Sequence, residues 1–296
     1  MSTLTLRTRL AQTVACASLL AVHSVAEAAW PDDISLSSMP TYEGNRVLST
    51  STLSEAYTTL VRELGASVGS RALGPASTLG AGTEISLTHQ VGFISSRIPD
   101  GPSAWQRAHV DNDPSLVLWQ PGIMVRKGLP FSLEVGMAGT WVGLSRQGTF
   151  GGWVRAALVE GYKPFPDVSV HGGYTGYIGN NELELGVARL GASLGSDFAL
   201  GGQPGVRSVV LSPFVDVSLL WVSAAPILDD ATQASIGAIP YGGRGDRGQV
   251  TPEKPLLMPQ VSGGMQIVGG KMLLRIAGGY TPGTLATVDT AVGLTF

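Results

Sequence analysis

The sequence is poor in charge, in cysteine and in long apolar runs. Charged residues make up 14% of its 296 residues, whereas a soluble domain usually carries about 25%. The formal net charge of −3 argues against a nucleic-acid partner, which would require a basic surface. The single cysteine, Cys16, lies close to the amino terminus, so disulfides cannot stabilise the rest of the chain.

Long apolar segments are also missing after residue 30. The longest uncharged run, 255–270, contains two prolines and four glycines, which rules out a membrane-spanning helix there. A closed β-barrel is the only other structure that satisfies backbone polar groups in lipid. The chain does contain 40 glycines and many stretches in which apolar and polar residues alternate.

The amino terminus has the form of a secretory signal peptide. Arg7 and Arg9 precede the uncharged stretch 10–25, and Ala26-Glu27-Ala28 matches an A-x-A cleavage site. We therefore expect export and cleavage after Ala28. The alternative, a lipoprotein acylated at Cys16, is disfavoured because too short a hydrophobic run precedes that residue.

Alternation with a period of two residues predicts β-strands. In 286–296, apolar side chains including Val288, Val292 and Phe296 share one face, while small and polar ones share the other. Most predicted strands have ten or more residues, enough to cross a bilayer at the tilt of a barrel. The predicted strands are 80–96, 115–127, 130–143, 150–161, 167–178, 182–197, 206–223, 253–268, 270–281 and 285–296.

The lengths of the connections give an independent indication. If the last strand ends in the periplasm, the long links 97–114 and 224–252 are both external. The tight turns Gly128-Leu129 and Gly269-Gly270 are then both periplasmic. Within 182–197 the apolar phase changes, which suggests either a bulge or an imperfect strand prediction. The fold class is thus an all-β, antiparallel transmembrane β-barrel of about ten strands, with 8–12 possible.

The segment between signal peptide and barrel, 29–79, is a leader. Residues 29–51 are polar and predict a flexible chain, whereas Thr52-Leu53-Ser54-Glu55 is a capping box. It opens an amphipathic helix near 52–64, placed either at the periplasmic mouth or in the lumen. The division is therefore signal peptide 1–28, leader 29–79 and barrel 80–296.

The alternating strands and the terminal Phe296 resemble bacterial outer-membrane β-barrels. More narrowly, the chain resembles an uncharacterised family of small, porin-like barrels from Gram-negative bacteria. The similarity lies in Leu64–Ala76, Leu158–Gly161 and Pro166–Thr175. It implies location in the outer membrane, contact with outer-membrane lipid and delivery by the barrel-assembly machinery, with Phe296 as an assembly signal. It offers no catalytic residues.

The alternative is an outer-membrane enzyme at the external rim, either an omptin-like protease or a lipid hydrolase. Asp111-Asn112-Asp113 with His109 would suit a protease, but no Asp-x-His occurs, and the acidic run is typical of a solvated turn. His89 or His171 could serve a hydrolase, but nothing indicates a nucleophile. The glycine-rich 242–248 lacks the strand–loop–helix setting of a phosphate site. We predict no metal, no cofactor and no catalysis.

Charged residues on the inner faces of the predicted strands are the most informative set. Basic side chains facing lipid at mid-depth would each cost about 2–4 kcal/mol, so we expect them in the lumen. There they either form a polar plug or line a conducting or ligand-binding channel. The predicted lumen-facing residues are Glu84, Arg126, Glu134, Trp153, Arg155, His171, Asp216, Arg275 and Asp289.

Overall fold

The computed structural model describes residues 30, 32–41, 50–69, 71, 73–94, 104–109, 117–162, 165–200, 209–227 and 255–296. Side chains are described in these ranges except at 40, 41 and 50–54. The predicted signal peptide, the acidic turn 111–113, the glycine-rich segment 242–248 and the side chains of three capping-box residues lie outside the described part.

Ten long antiparallel strands close into a barrel. Each long strand pairs with the long strands before and after it in the chain, and β6 pairs with β8 because the three-residue β7 pairs only with β8. The pairing of β1 with β11 completes the ring. The prediction of an antiparallel barrel of about ten strands is therefore confirmed. The strands are β1 Thr83–Ile94, β2 Val117–Leu129, β3 Leu133–Trp141, β4 Gly148–Val159, β5 Asp167–Ile178, β6 Leu183–Gly195, β7 Phe198–Leu200, β8 Val209–Pro226, β9 Leu256–Gly269, β10 Met272–Thr281 and β11 Leu285–Thr295.

Alternation of side chains sets the two faces of the barrel wall, because successive residues of a strand point to opposite sides. In β10, Leu273 and Arg275 are buried on the inner face, while Leu274 and Ile276 are exposed on the outer face. The same pattern runs through the other strands, so the polar side chains lie inside the ring.

The two ends of the barrel differ in their connections. At one end, here called the Phe296 end, Phe296 pairs with Thr83 and short turns follow β2, β4 and β9. At the other, the loop end, lie the two longest connections, 95–116 between β1 and β2 and 227–255 between β8 and β9. Both long connections thus lie at the same end, as the alternating direction of the predicted strands requires.

One predicted turn is in the wrong place. Gly128-Leu129 belongs to β2, and the turn follows at 130–132. Phe131 and Ser132 adopt positive φ angles of 65° and 53°, which non-glycine residues rarely do. Composition favoured the glycine as the turn residue. The strand ends instead before Pro130, because proline has no N–H to donate to the sheet.

The predicted bulge in 182–197 is also wrong. β6 pairs with β5 and β8 without a break in register, and Leu185, Val187 and Arg189 all face inward. The apparent phase change arises because the inner face turns from apolar to polar partway along the strand. The register shift lies instead in β4, between Ala157 and Val159.

The helix of the leader is longer than predicted and lies inside the barrel. Helix α1 spans Thr50–Gly69 and packs mainly against β6 and β8. Its glycines permit a close approach to the wall, since a Cβ at Gly65 would lie 2.5 Å from Val222 Cγ1 and one at Gly69 would lie 2.8 Å from Val187 Cγ1. No helix among the described residues is long and apolar enough to cross a membrane.

An apolar core fills the lumen at the loop end. It joins α1 to inward residues near the loop-end tips of the strands, including Leu118, Tyr177 and Leu285. The short helix α2 (Ala104–Arg107) and the 3-10 helix Leu36–Thr41 add to the same cluster. Residues 32–41, predicted as flexible leader, are therefore packed onto the loop end.

Candidate functional site in the lumen

The chain passes through its own barrel between α1 and β1. Helix α1 sits in the apolar loop-end half, and β1 begins at Thr83 at the Phe296 end. Residues 71 and 73–79, here called the threaded segment, lie between the two in the chain and contact the polar half of the lumen. The lumen is therefore occupied along its length by the leader.

The threaded segment is held by its main chain. Three arginines of alternate strands, β2, β4 and β6, reach across the lumen to carbonyl oxygens spaced two residues apart; we call Arg126, Arg155 and Arg189 the arginine ladder. Charged donors make such hydrogen bonds stronger than neutral ones. The distances are 2.9 Å from Arg126 Nη1 to the Leu73 oxygen, 2.6 Å from Arg155 Nη1 to the Pro75 oxygen and 2.5 Å from Arg189 Nη1 to the Arg71 oxygen.

Arg126 is also the centre of an ion-pair cluster. It is fully buried and binds Glu84 and, at 3.2 Å, Glu134. Glu84 also accepts Arg275 Nη2 at 3.0 Å, and Glu134 lies 3.7 Å from Arg155 Nη1. Because both carboxylates are buried, each depends on these arginines for compensation of its charge.

A second cluster forms on the opposite strands. Asp216 binds Arg189 through one oxygen and accepts Ser193 Oγ at 2.7 Å through the other. The Nδ1 atom of His171 lies 3.4 Å from Asp216 Oδ2. Asp289 lines a cavity of about 20 Å³ together with Arg71 and Arg275, so the threaded segment contributes its own cation to the lumen.

The threaded segment is anchored again at the Phe296 end. Glu160 accepts the Thr78 backbone N–H at 2.7 Å and the Thr78 hydroxyl at 3.0 Å. Lys127 Nζ donates to the Ala81 carbonyl at 2.6 Å. These contacts fix the direction in which the segment enters β1.

The nine predicted lumen residues are all buried on the inner face. Seven of them belong to the two clusters, whereas Trp153 packs against Leu73, Met124 and Ala138 and Asp289 lines the cavity of about 20 Å³. Sequence reasoning missed Arg189, because the change of apolar phase within 182–197 left the inner face of that strand undefined. Gln266, which accepts Arg275 Nε at 3.0 Å, was missed as well. It also missed Arg71, whose position depends on the path of the leader and on no local pattern.

A cap of leader residues covers the loop end. Asp33 pairs with Arg146 at 3.2 Å, Asp32 accepts the Leu144 N–H at 2.8 Å, and Glu182 accepts the Ser37 N–H at 2.9 Å. The cap also buries His109, outside the strands, where burial lowers the pKa of its imidazole below the usual value of 6.5.

The histidines considered for a rim enzyme lie far apart in the fold. His89 is on the outer face of β1 and stacks on Trp119, with ring centroids 6.0 Å apart. His109 is fully buried against Trp105, and His171 is buried in the lumen. No group of residues suited to a metal ion occurs within the described ranges.

Comparisons with known proteins report similarity to outer-membrane barrels. No protein-family model and no curated protein matches the chain. The transport unit of the autotransporter AIDA-I from Escherichia coli aligns with 82% of this chain and 97% of its own length, at 10% identity and a TM-score of 0.37. The translocator domain of the autotransporter NalP from Neisseria meningitidis covers 83% and 97%, at 10% identity and a TM-score of 0.31. The outer membrane protein Omp33 from Acinetobacter baumannii covers 73% and 100%, at 10% identity and a TM-score of 0.26.

Proposed function

We propose that the chain is an outer-membrane β-barrel protein of a Gram-negative bacterium, closed by its own amino-terminal segment. It acts as a structural or narrow, porin-like barrel and has no catalytic role. The observation that carries this proposal is the arginine ladder, because it holds the threaded segment across the polar half of the lumen while α1 fills the other half.

The outer face of the strands supports a membrane location. Large apolar side chains such as Leu87, Ile123 and Val217 are more than half exposed there. On the outer face of the described strands, Lys127 near the Phe296 end and Glu184 near the loop end are the only charged residues. Proteins in water rarely expose such a continuous apolar surface, whereas the hydrocarbon of a bilayer requires one.

Aromatic side chains mark both edges of this apolar surface. Such girdles are typical of barrels at the two membrane–water interfaces. The exposed aromatic residues near these edges include Phe131, Tyr162, Phe165, Phe198 and Phe296 at the Phe296 end, and Phe93, Trp119, Trp141, Phe150 and Tyr280 towards the loop end; Tyr174 is also exposed on the outer face of β5.

The proposed orientation places the Phe296 end in the periplasm and the loop end outside the cell. It follows from the short turns and long loops at the respective ends, which in outer-membrane barrels face the periplasm and the exterior. A signal peptide at 1–28 would deliver the chain to the periplasm, and the barrel-assembly machinery would insert it among outer-membrane lipids.

Heat-modifiable migration tests the proposed class. Unboiled protein extracted from the outer-membrane fraction should migrate differently from the boiled protein on a detergent gel, because the closed sheet resists detergent at room temperature. Matched samples from the periplasmic fraction serve as the control. Identical migration before and after boiling, with recovery in the soluble periplasm, would contradict the proposal.

Phe296 provides a second test. Its N–H and C=O pair with Thr83 at 2.9 Å and 3.1 Å, and its ring is 63% exposed. Replacing Phe296 with Asp leaves the backbone pairing possible but removes the terminal aromatic ring. We expect less protein assembled in the outer membrane, measured by immunoblotting of the heat-modifiable form. The outward Phe93→Asp variant controls for a general loss of apolar surface, and normal assembly of Phe296→Asp would refute an assembly role.

A further inference from the structure

A small cavity lies beside the arginine ladder in the polar half of the lumen. Its volume is about 30 Å³, enough for one or two waters or one monatomic ion. Three strands of the wall and the threaded segment surround it. The polar side chains that line it are Arg71, Trp153, His171, Thr175 and Arg189.

Two residues that line the cavity carry hydrogen-bond donors without acceptors. Trp153 Nε1 and Arg189 Nε have no hydrogen-bond partner among the described residues. Both side chains are more than nine-tenths buried. An indole N–H and a guanidinium N–H can only donate, and leaving them unsatisfied in a buried site is costly. The missing partner must therefore be an acceptor.

The charges around the cavity favour a negative acceptor. The polar half of the lumen contains five arginines and four carboxylates, so arginine charges are in excess. The arginines are Arg71, Arg126, Arg155, Arg189 and Arg275, and the carboxylates are Glu84, Glu134, Asp216 and Asp289. Arg155, the cross-strand neighbour of His171, is weakly compensated. Its nearest carboxylate is 3.7 Å away and shared with Arg126, and its Nε and Nη2 have no bonded partner in the described part.

The carboxylates near this cavity have other partners. Asp216 uses its oxygens on Arg189 and Ser193 and approaches the Nδ1 side of His171. Asp289 lines a different cavity on another side of Arg71. Asp167, at the Phe296 end, accepts the Gly161 N–H within its own turn. No carboxylate is among the residues that line the cavity, so nothing there repels an anion.

We infer that this cavity is a binding site for a small monatomic anion of the size of chloride. The anion accepts hydrogen bonds from Trp153 and Arg189 and balances the excess positive charge of the ladder. Because the threaded segment supplies Arg71, the bound anion also links that segment to the wall. The site therefore couples halide binding to the stability of the closed lumen.

Bromide is the direct probe, since its anomalous scattering separates it from water. Crystals of the full-length mature protein soaked in sodium bromide should show an anomalous peak between Trp153, His171 and Arg189. Density without an anomalous signal would mean that a water fills the cavity, and peaks confined to the protein surface would mean an adventitious ion only. Either result overturns the inference.

Thermal unfolding in detergent supplies the solution test. At equal ionic strength, sodium bromide should raise the half-unfolding temperature of the wild type above its value in sodium gluconate, whose anion is too large to enter. The rise should saturate with concentration, because ligand binding stabilises only the folded state. Trp153→Phe, which removes one N–H donor, should reduce the shift, whereas Trp141→Phe on the outer face should retain it. An equal shift in both variants would contradict anion binding at this cavity. If Trp153→Phe does not fold, the anomalous map of the wild-type crystals tests the inference.

Discussion

Replacing Arg126 with alanine should lower the free energy of unfolding by about 3–5 kcal/mol, the loss typical of a broken buried ion pair. The side chain binds two fully buried carboxylates, Glu84 and Glu134, and donates to the Leu73 carbonyl of the threaded segment. Without Arg126, Glu134 retains only Arg155 at 3.7 Å. The measurement is urea unfolding of the refolded protein in detergent, followed by tryptophan fluorescence and by the heat-modifiable band.

Two matched variants separate the cluster from a general loss of charge. Arg275→Ala leaves Glu84 paired with Arg126, so we expect a smaller loss than for Arg126→Ala. Lys127→Ala removes the neighbouring outward cation, whose amine bonds only the Ala81 carbonyl, and should cost no more than about 1 kcal/mol. Equal losses for Arg126→Ala and Lys127→Ala would show that the cluster does not stabilise the barrel.

Gly65→Leu should open the barrel. Helix α1 approaches the wall so closely at this position that any Cβ would collide with Val222. Overpacking of this kind typically costs about 1–3 kcal/mol, which raises the population with a displaced helix by roughly 5- to 150-fold. In planar bilayers, we expect purified Gly65→Leu protein to show discrete openings much more often than the wild type.

The control for this variant is a glycine with room for a side chain. A Cβ at Gly278, on the outer face of β10, would lie 3.8 Å from its nearest neighbour, the Thr287 carbonyl oxygen. Gly278→Leu adds the same side chain without touching α1 and should leave the current at the wild-type level. Openings of equal frequency in both variants would mean that α1 does not close the lumen.

The sequence was sufficient for the barrel and for much of the polar lumen, because both depend on a local period of two residues. Glu84, Arg126 and Arg275 alternate with apolar neighbours that must contact lipid or a core. The sequence alone therefore predicts that these three side chains lie on the inner face of the wall. The inward position of Arg189 could not be predicted, because the inner residues before it, such as Leu185 and Val187, are apolar and pack on α1.

The contents of the lumen could not be predicted in the same way. The amphipathic pattern from residue 53 to 64 indicates a helix that needs an apolar partner, but the partner is the inner wall of strands far along the chain, such as β6 and β8. The ladder contacts Leu73 and Pro75 through carbonyl oxygens, which every residue possesses. Recognition of main-chain atoms leaves no signal in the sequence of the recognised segment.

Conductance of the wild-type protein decides whether the lumen is closed. Helix α1 and the threaded segment lie inside the lumen, and the two cavities beside the ion-pair clusters measure about 20 Å³ and 30 Å³. Purified wild-type protein reconstituted in planar bilayers should therefore show no steady current above the background of the membrane. Large, ohmic, long-lived channels from the wild type would contradict the occupied lumen and identify the protein as an open porin.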